Sequence, residues 1–137
     1  MRMSLSNASL PVKVVFFVGL FVSPWLFTQA VILVIANDEN IETMPTCESN
    51  SGNCAHLGGG ENYRMNLSIP TQIGINSSHA WDIIQDYIDE NNGKILVESD
   101  NGINFYVHFV EKTNFWQFPD DVIVQISGNE EGCIIEM

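Results

Sequence analysis

The feature that most constrains this chain is an uncharged run of 23 residues from Val14 to Ala36. As a helix that rises about 1.5 Å per residue, the run is roughly 34 Å long, whereas a bilayer core is about 30 Å thick. The run is apolar on every side, whereas a helix at the surface of a water-soluble domain has a polar face towards the solvent. We therefore expect a single transmembrane helix over residues 14–36, with a kink at Pro24.

The charges on either side of this run predict its orientation. Arg2 and Lys13 precede it, whereas the first charges that follow it are acidic. The positive-inside rule then makes residues 1–13 cytoplasmic and residues 37–137 extracytoplasmic, with the helix acting as a signal-anchor. The alternative is a signal peptide that is cleaved near Ala36, which releases a secreted domain, although the apolar part of such peptides is usually only about 7–15 residues long.

The overall charge excludes one class of partner. The chain has 5 basic and 17 acidic residues, a formal net charge of −12, and only three of the basic residues follow the apolar run. Nucleic-acid binding is excluded because Lys and Arg side chains are what hold a phosphate backbone. Anionic lipid headgroups repel such a domain, so we expect the membrane to be a partner through the N-terminal helix alone.

The extracytoplasmic part divides into a tether and a small domain. Residues 37–62 are rich in Asn, Glu, Ser and Gly and show neither a helical nor a strand period, so they are predicted to form a polar tether. Residues 63–137 contain the periodic segments and are predicted to form the domain. Its core is expected to be thin, because a domain of about 75 residues buries a small fraction of its surface.

The periodic segments predict one helix and four strands. Trp81, Ile84 and Ile88 share a helix face within residues 79–88, behind an N-cap at Ser77 or Ser78. Strands are predicted over residues 94–99, 103–110, 121–127 and 133–137, with an Asn-Gly turn between the first two. In the second strand we expect Ile103, Phe105, Val107 and Phe109 to face the core, and Asn104, Tyr106 and His108 to face away from it. The fold class is therefore α+β, with one helix packed on a small antiparallel sheet after the N-terminal transmembrane helix.

The cysteines and two tripeptides fit an oxidising compartment. A disulfide between Cys47 and Cys54 closes a short loop and leaves Cys133 unpaired. The spacing of these cysteines does not suit a structural zinc site, and no cofactor is predicted. Asn66 and Asn76 begin Asn-x-Ser tripeptides, so they are acceptor sites if the organism glycosylates asparagine.

Several of these residues together resemble a known family. Cys47, the pair Asn53-Cys54, Trp81 in the helix, the strand Tyr106-Val107-His108-Phe109 and the segment Phe118-Pro119-Asp120-Asp121-Val122 match the pattern of the domain of unknown function 1499 family. The resemblance covers about residues 47–137. It implies an exported, membrane-anchored or organelle-associated protein and assigns no biochemical activity. Two parts of the family pattern have no counterpart here, namely a serine motif after the Asn-Cys pair and an arginine-rich C-terminal stretch.

Two groups of residues are candidates for a site. His108 with Asp120 or Asp121 is the candidate for acid–base or metal chemistry, although adjacent aspartates in a strand point to opposite faces. Phe115, Trp116 and Phe118 are either core residues or an exposed lip for a peptide, a lipid or a partner subunit. The favoured hypothesis is a non-enzymatic module that binds a protein partner or a small apolar ligand. The alternative hypothesis is a metal-dependent or acid–base enzyme.

Overall fold

The computed structural model describes residues 9–36, 39–48, 52–59, 63–65, 70–129 and 131–137, and these form two compact units. The first unit consists of the N-terminal helix and the loop Thr113–Phe118, and the second contains the sheet. Within the described residues, the elements in chain order are α1 (Leu10–Ile35), β1 (Gln72–Ile73), α2 (Ser77–Glu90), β2 (Lys94–Asp100), β3 (Asn104–Lys112), β4 (Pro119–Asn129) and β5 (Gly132–Glu136). The α+β class with one long N-terminal apolar helix is thus confirmed.

Helix α1 is long and apolar enough to cross a membrane, and none of its residues is buried in the structure. It continues through Pro24, whose missing N–H leaves the carbonyl of Leu20 without its usual helical partner. The hydroxyl of Ser23 donates to that carbonyl at 3.2 Å, and the hydroxyl of Thr28 donates to the carbonyl of Pro24 at 2.9 Å. These polar side chains are therefore satisfied within the helix, as a lipid environment demands.

The second unit is built on an antiparallel sheet with the strand order β1-β5-β4-β3-β2. Helix α2 packs on β3, β4 and β5 and begins at an N-cap one residue earlier than the predicted serines, because Oδ1 of Asn76 accepts from the N–H of His79 at 2.7 Å. Four strands match the predicted ones to within a few residues. Strand β1 was not predicted, since two residues carry no period.

The core lies between α2 and the sheet. Its buried side chains are Ala80, Trp81, Ile88, Phe105, Val107, Phe109, Val124, Ile126 and Cys133. The ring of Trp81 stacks on that of Phe105, with 5.2 Å between the centroids. The predicted core face of β3 is correct for Phe105, Val107 and Phe109 but wrong for Ile103, which precedes the first residue of β3 and is 61% exposed.

The opposite face of β3 is also buried, which the alternation did not predict. Tyr106, His108 and Val110 are buried there, and the backbone of Ile41, in the stretch that was expected to be a tether, forms hydrogen bonds with the first two. The hydroxyl of Tyr106 donates to the carbonyl of Ile41 at 2.7 Å, and burial is the main reason that the pKa of this hydroxyl is raised. The sheet therefore has α2 on one face and an irregular segment, which supplies backbone hydrogen bonds, on the other.

Cys133 is expected to be protected from alkylation in the folded chain. Its side chain is fully buried in the core, and burial raises the pKa of its thiol, so the reactive thiolate is scarce as well as inaccessible. We expect iodoacetamide to label the full chain at least about 100-fold more slowly in buffer than in 8 M urea, a ratio set by the free energy of opening. Mass spectrometry measures the labelling, and a Cys133→Ser variant identifies the site. Fast labelling in buffer contradicts this burial.

Candidate functional site

His108 and Asp121 are the predicted site residues that the structure brings together. The register of β3 and β4 places His108 opposite Ile123, so Asp121 lies diagonally across on the same face. Nε2 of His108 is 2.9 Å from Oδ1 of Asp121. The imidazole has no exposed surface, so this histidine does not lie at the surface as the polar side of a strand predicts.

The partners of His108 define its tautomer. The backbone N–H of Ile41 donates to Nδ1 at 3.2 Å, so Nδ1 is an acceptor in this arrangement, and the hydrogen of the neutral ring is on Nε2, which donates to Asp121. Both ring nitrogens are therefore occupied by the protein itself. A general base needs one nitrogen free to reach a substrate, so this arrangement does not favour the acid–base hypothesis.

Asp120 does not join this pair. It is exposed, and its partner across the β3–β4 ladder is Glu111. Alternation along β4 places its side chain on the face opposite to that of Asp121, as expected for adjacent strand residues. Within the described ranges, moreover, no group of three or more His, Cys, Asp or Glu side chains is placed to hold a metal ion.

A cavity of about 640 Å³ lies beside this pair, within the second unit. The bonded cysteines Cys47 and Cys54 form part of its wall, together with apolar side chains that include Ile41, Met44 and Val122. Asp121 and His56 add polar groups to the lining. The volume lies within the range of about 300–1,000 Å³ that is typical of small-molecule pockets, whose walls are likewise mostly apolar with a few polar groups.

His56 lines the cavity, although it lies in the stretch that was predicted to be a tether. Its ring is 7% exposed, and Nε2 lies 2.8 Å from Oε1 of Glu136 at the end of β5. A carboxylate only accepts hydrogen bonds, so Nε2 carries the hydrogen. Nδ1 is buried and has no hydrogen-bond partner among the residues that the structure describes. In the sequence, the one feature related to this pair is the glycine run that follows His56, because glycines allow close approach of another segment.

The glycines explain how His56 reaches Glu136. Gly58 and Gly59 both have positive φ angles, which favour glycine. A Cβ atom on Gly59 would collide with the carboxylate of Glu136. Leu57 also exchanges two backbone hydrogen bonds with Met137, of 2.7 and 2.9 Å. The glycine run therefore lets the chain pass close enough to β5 for the histidine–glutamate pair to form.

Of the remaining predicted residues that the structure describes, none lines the cavity. Asn76 is exposed and caps α2 through Oδ1, so this bond does not use the amide nitrogen that a glycan requires, whereas Asn66 lies outside the described residues. Phe115, Trp116 and Phe118 lie in the loop between β3 and β4 and are all exposed. Their rings contact one another, with centroids 5.0 Å apart for Phe115 and Trp116, and 6.4 Å apart for Trp116 and Phe118.

Comparison with known proteins identifies no relative of this chain. No family model, no curated protein and no solved structure matches the chain. What the chain does must therefore be argued from its own residues.

Proposed function

We propose that this protein is a membrane-anchored, extracytoplasmic binding module that takes up a small, largely apolar molecule in the cavity beside the disulfide. In this proposal α1 anchors the chain, with Arg2 and Lys13 on the cytoplasmic side. The disulfide between Cys47 and Cys54 and the exposed amide of Asn76 suit an extracytoplasmic location.

The observation that carries the proposal is the cavity lining. Apolar side chains dominate it, and Asn53, His56, Asp120 and Asp121 add polar groups. The lining therefore favours a molecule with an apolar body and a polar part that meets these side chains. The nitrogens of His108 are both occupied, so binding is better supported than catalysis.

The resemblance to the domain of unknown function 1499 family belongs to this proposal. The matching residues include both bonded cysteines, the cavity residue Val122 and the His108–Asp121 pair. Part of the family pattern therefore falls on the cavity wall and on the pair beside it, while Trp81 and Phe109 fall in the core between α2 and the sheet. This coincidence supports a shared binding role for that wall, and it agrees with an exported or membrane-anchored location.

Native mass spectrometry of the full chain, purified in nanodiscs from its own membrane, tests the proposal. We expect a single retained molecule of a few hundred daltons, the size that such cavities hold. The Ala55→Trp variant places an indole in the cavity lining and is expected to lower the retained fraction at least about tenfold, which corresponds to about 1.4 kcal/mol. The same spectrum distinguishes the uncleaved chain, of 15.3 kDa, from a shorter secreted form.

The matched control is Ser99→Trp, which adds the same side chain at an exposed position of β2 that does not line the cavity. This variant is expected to retain the molecule as the unmodified chain does. Equal retention in both tryptophan variants, or an unmodified chain that carries nothing, contradicts the proposal. Protection of Cys133 from alkylation shows that each variant is folded.

A further inference from the structure

The loop between β3 and β4 contacts the apolar helix α1. The loop, Thr113–Phe118, belongs to the same compact unit as this helix. Nε1 of Trp25 donates to the carbonyl of Phe115 at 2.9 Å, and Nε2 of Gln29 donates to the carbonyl of Trp116 at 2.8 Å. Two polar side chains of a helix that can span a membrane therefore find their acceptors on this loop.

The contact follows one stripe of α1. From Trp25 to the end of the helix, only Trp25, Thr28, Gln29 and Ile32 are partly buried, while the remaining side chains are exposed. These four residues have the spacing i, i+3, i+4 and i+7, which defines a single helix face. The partly buried face of the C-terminal half of α1 is thus the one that holds the two residues bonded to the loop, and its other sides are exposed.

The depth of this contact follows from helix geometry. Helix α1 has 26 residues, so its midpoint lies between Val22 and Ser23. At about 1.5 Å per residue, Trp25 is roughly 4 Å and Gln29 roughly 10 Å from that midpoint, towards the C-terminal end. The hydrocarbon core extends about 15 Å on each side of its centre. If α1 is centred in the bilayer, both hydrogen bonds to the loop lie within the hydrocarbon.

Many polar groups of the loop are satisfied internally, as hydrocarbon requires. The N–H of Thr113 donates to the carbonyl of Phe118, and the N–H of Phe118 donates to the hydroxyl of Thr113, each at 3.0 Å. The amide of Gln117 donates to the carbonyls of Thr113 and Asn114, each at 3.1 Å. Since an unsatisfied group in hydrocarbon costs several kcal/mol, these bonds lower the cost of inserting the loop.

The outer surface of the loop is aromatic and uncharged. Phe115 is 67% exposed, and Trp116 and Phe118 are exposed beside it. Residues 113–119 carry no charge, whereas Lys112 and Asp120 bracket them immediately. The acidic balance that repels the rest of the domain from anionic headgroups is therefore absent from this tip. Trp is enriched at the membrane interface, and both Trp and Phe are found on the apolar faces of helices that lie in it.

We propose that Thr113–Phe118 inserts into the lipid bilayer beside the C-terminal half of α1, with Phe115, Trp116 and Phe118 in contact with acyl chains. This is a second membrane attachment in addition to α1. The charge of the domain had predicted that α1 is the sole attachment. It rests on the membrane anchoring proposed above and is independent of any ligand in the cavity.

Photocrosslinking tests the proposal on the full chain in vesicles of palmitoyl-oleoyl phosphatidylcholine. Phe115 is replaced by the photoreactive residue benzoylphenylalanine, and intact mass after irradiation identifies what it contacts. We expect the mass of one phospholipid to be added. The matched control carries the same residue in place of Ile103, an exposed residue at the β2–β3 turn, and is expected to give at least about tenfold less lipid adduct.

The outcomes separate this proposal from the anchoring on which it rests. Equal lipid adducts at positions 115 and 103, a crosslink to a second copy of the chain, or no adduct at position 115 overturns the insertion of the loop. Extraction of the same vesicles with alkaline carbonate tests α1 independently, because release of the chain means that the helix does not span. Protection of Cys133 from alkylation shows that both photoreactive variants are folded.

Discussion

Replacement of Phe109 by alanine is expected to destabilise the domain by about 3–5 kcal/mol. Phe109 is 1% exposed, lies in β3 next to the centre of the sheet, and packs in the main core with the ring of Tyr87 at 6.4 Å. The truncation removes apolar contacts and leaves a cavity that the sheet cannot close. In the full chain, labelling of Cys133 in buffer is expected to accelerate by roughly 100- to 1,000-fold or more, since each 1.4 kcal/mol is a factor of ten.

The control for this prediction is Phe115→Ala, which removes the same side chain from an exposed position outside the core. It is expected to change the rate of Cys133 labelling by less than about threefold, because surface substitutions usually alter stability by less than 0.5 kcal/mol. A similar acceleration in both variants means that Cys133 reports something other than opening of the core. An unchanged rate in Phe109→Ala contradicts the packing described above.

Local patterns account for the parts of the fold that were predicted. The spacing of Trp81, Ile84 and Ile88 depends only on helix geometry, and α2 buries or half-buries all three against the sheet. The Asn-Gly pair at 101–102 and the alternation in β3 depend on a short stretch of chain. The pair lies between β2 and β3, and the alternation correctly places Phe105, Val107 and Phe109 in the core, although it fails for Ile103 and for the opposite face of β3. The N-terminal helix was the easiest prediction, because uniform apolarity needs no partner to be recognised.

Contacts between distant residues account for what the sequence did not predict. His56 and Glu136 are 80 residues apart, and Trp25 and Phe115 are 90 residues apart, so no local period connects them. The segment 39–57 resembles a tether because its contacts with Tyr106 and His108 use the backbone of Ile41, which has no side-chain signature. Strand β1 is too short to show an alternation, and only its pairing with β5 defines it.

The cavity is a consequence of the same non-local packing. A free tether would leave the face of Tyr106 and His108 in water, and a smooth second layer would leave no space. The irregular segment instead contacts the sheet at Ile41 and again where Leu57 pairs with Met137. The wall between these two points includes Cys47 and Cys54. The disulfide is therefore part of the cavity wall, and it also closes a short loop that constrains the unfolded chain.

Removal of this disulfide is expected to lower the stability of the domain and to disrupt the cavity. The paired replacement Cys47→Ser and Cys54→Ser opens a bridge between residues seven positions apart, with Cα atoms 5.6 Å from each other. The loss of this constraint on the unfolded chain is expected to cost about 2.5 kcal/mol, so labelling of Cys133 accelerates roughly 60-fold. Native mass spectrometry is also expected to show loss of the retained molecule, because the variant frees one wall of the cavity.

Reduction provides the matched control for the paired variant, because it opens the same bridge without changing the sequence. Dithiothreitol is expected to bring the unmodified chain to the labelling rate of the paired variant and to have no further effect on that variant. A variant that labels slowly but has lost the retained molecule separates the shape of the cavity from the stability of the domain. A variant that labels slowly and still retains the molecule shows that the bridge supports neither, and the cavity wall must then be held by the contacts of Ile41 and Leu57 alone.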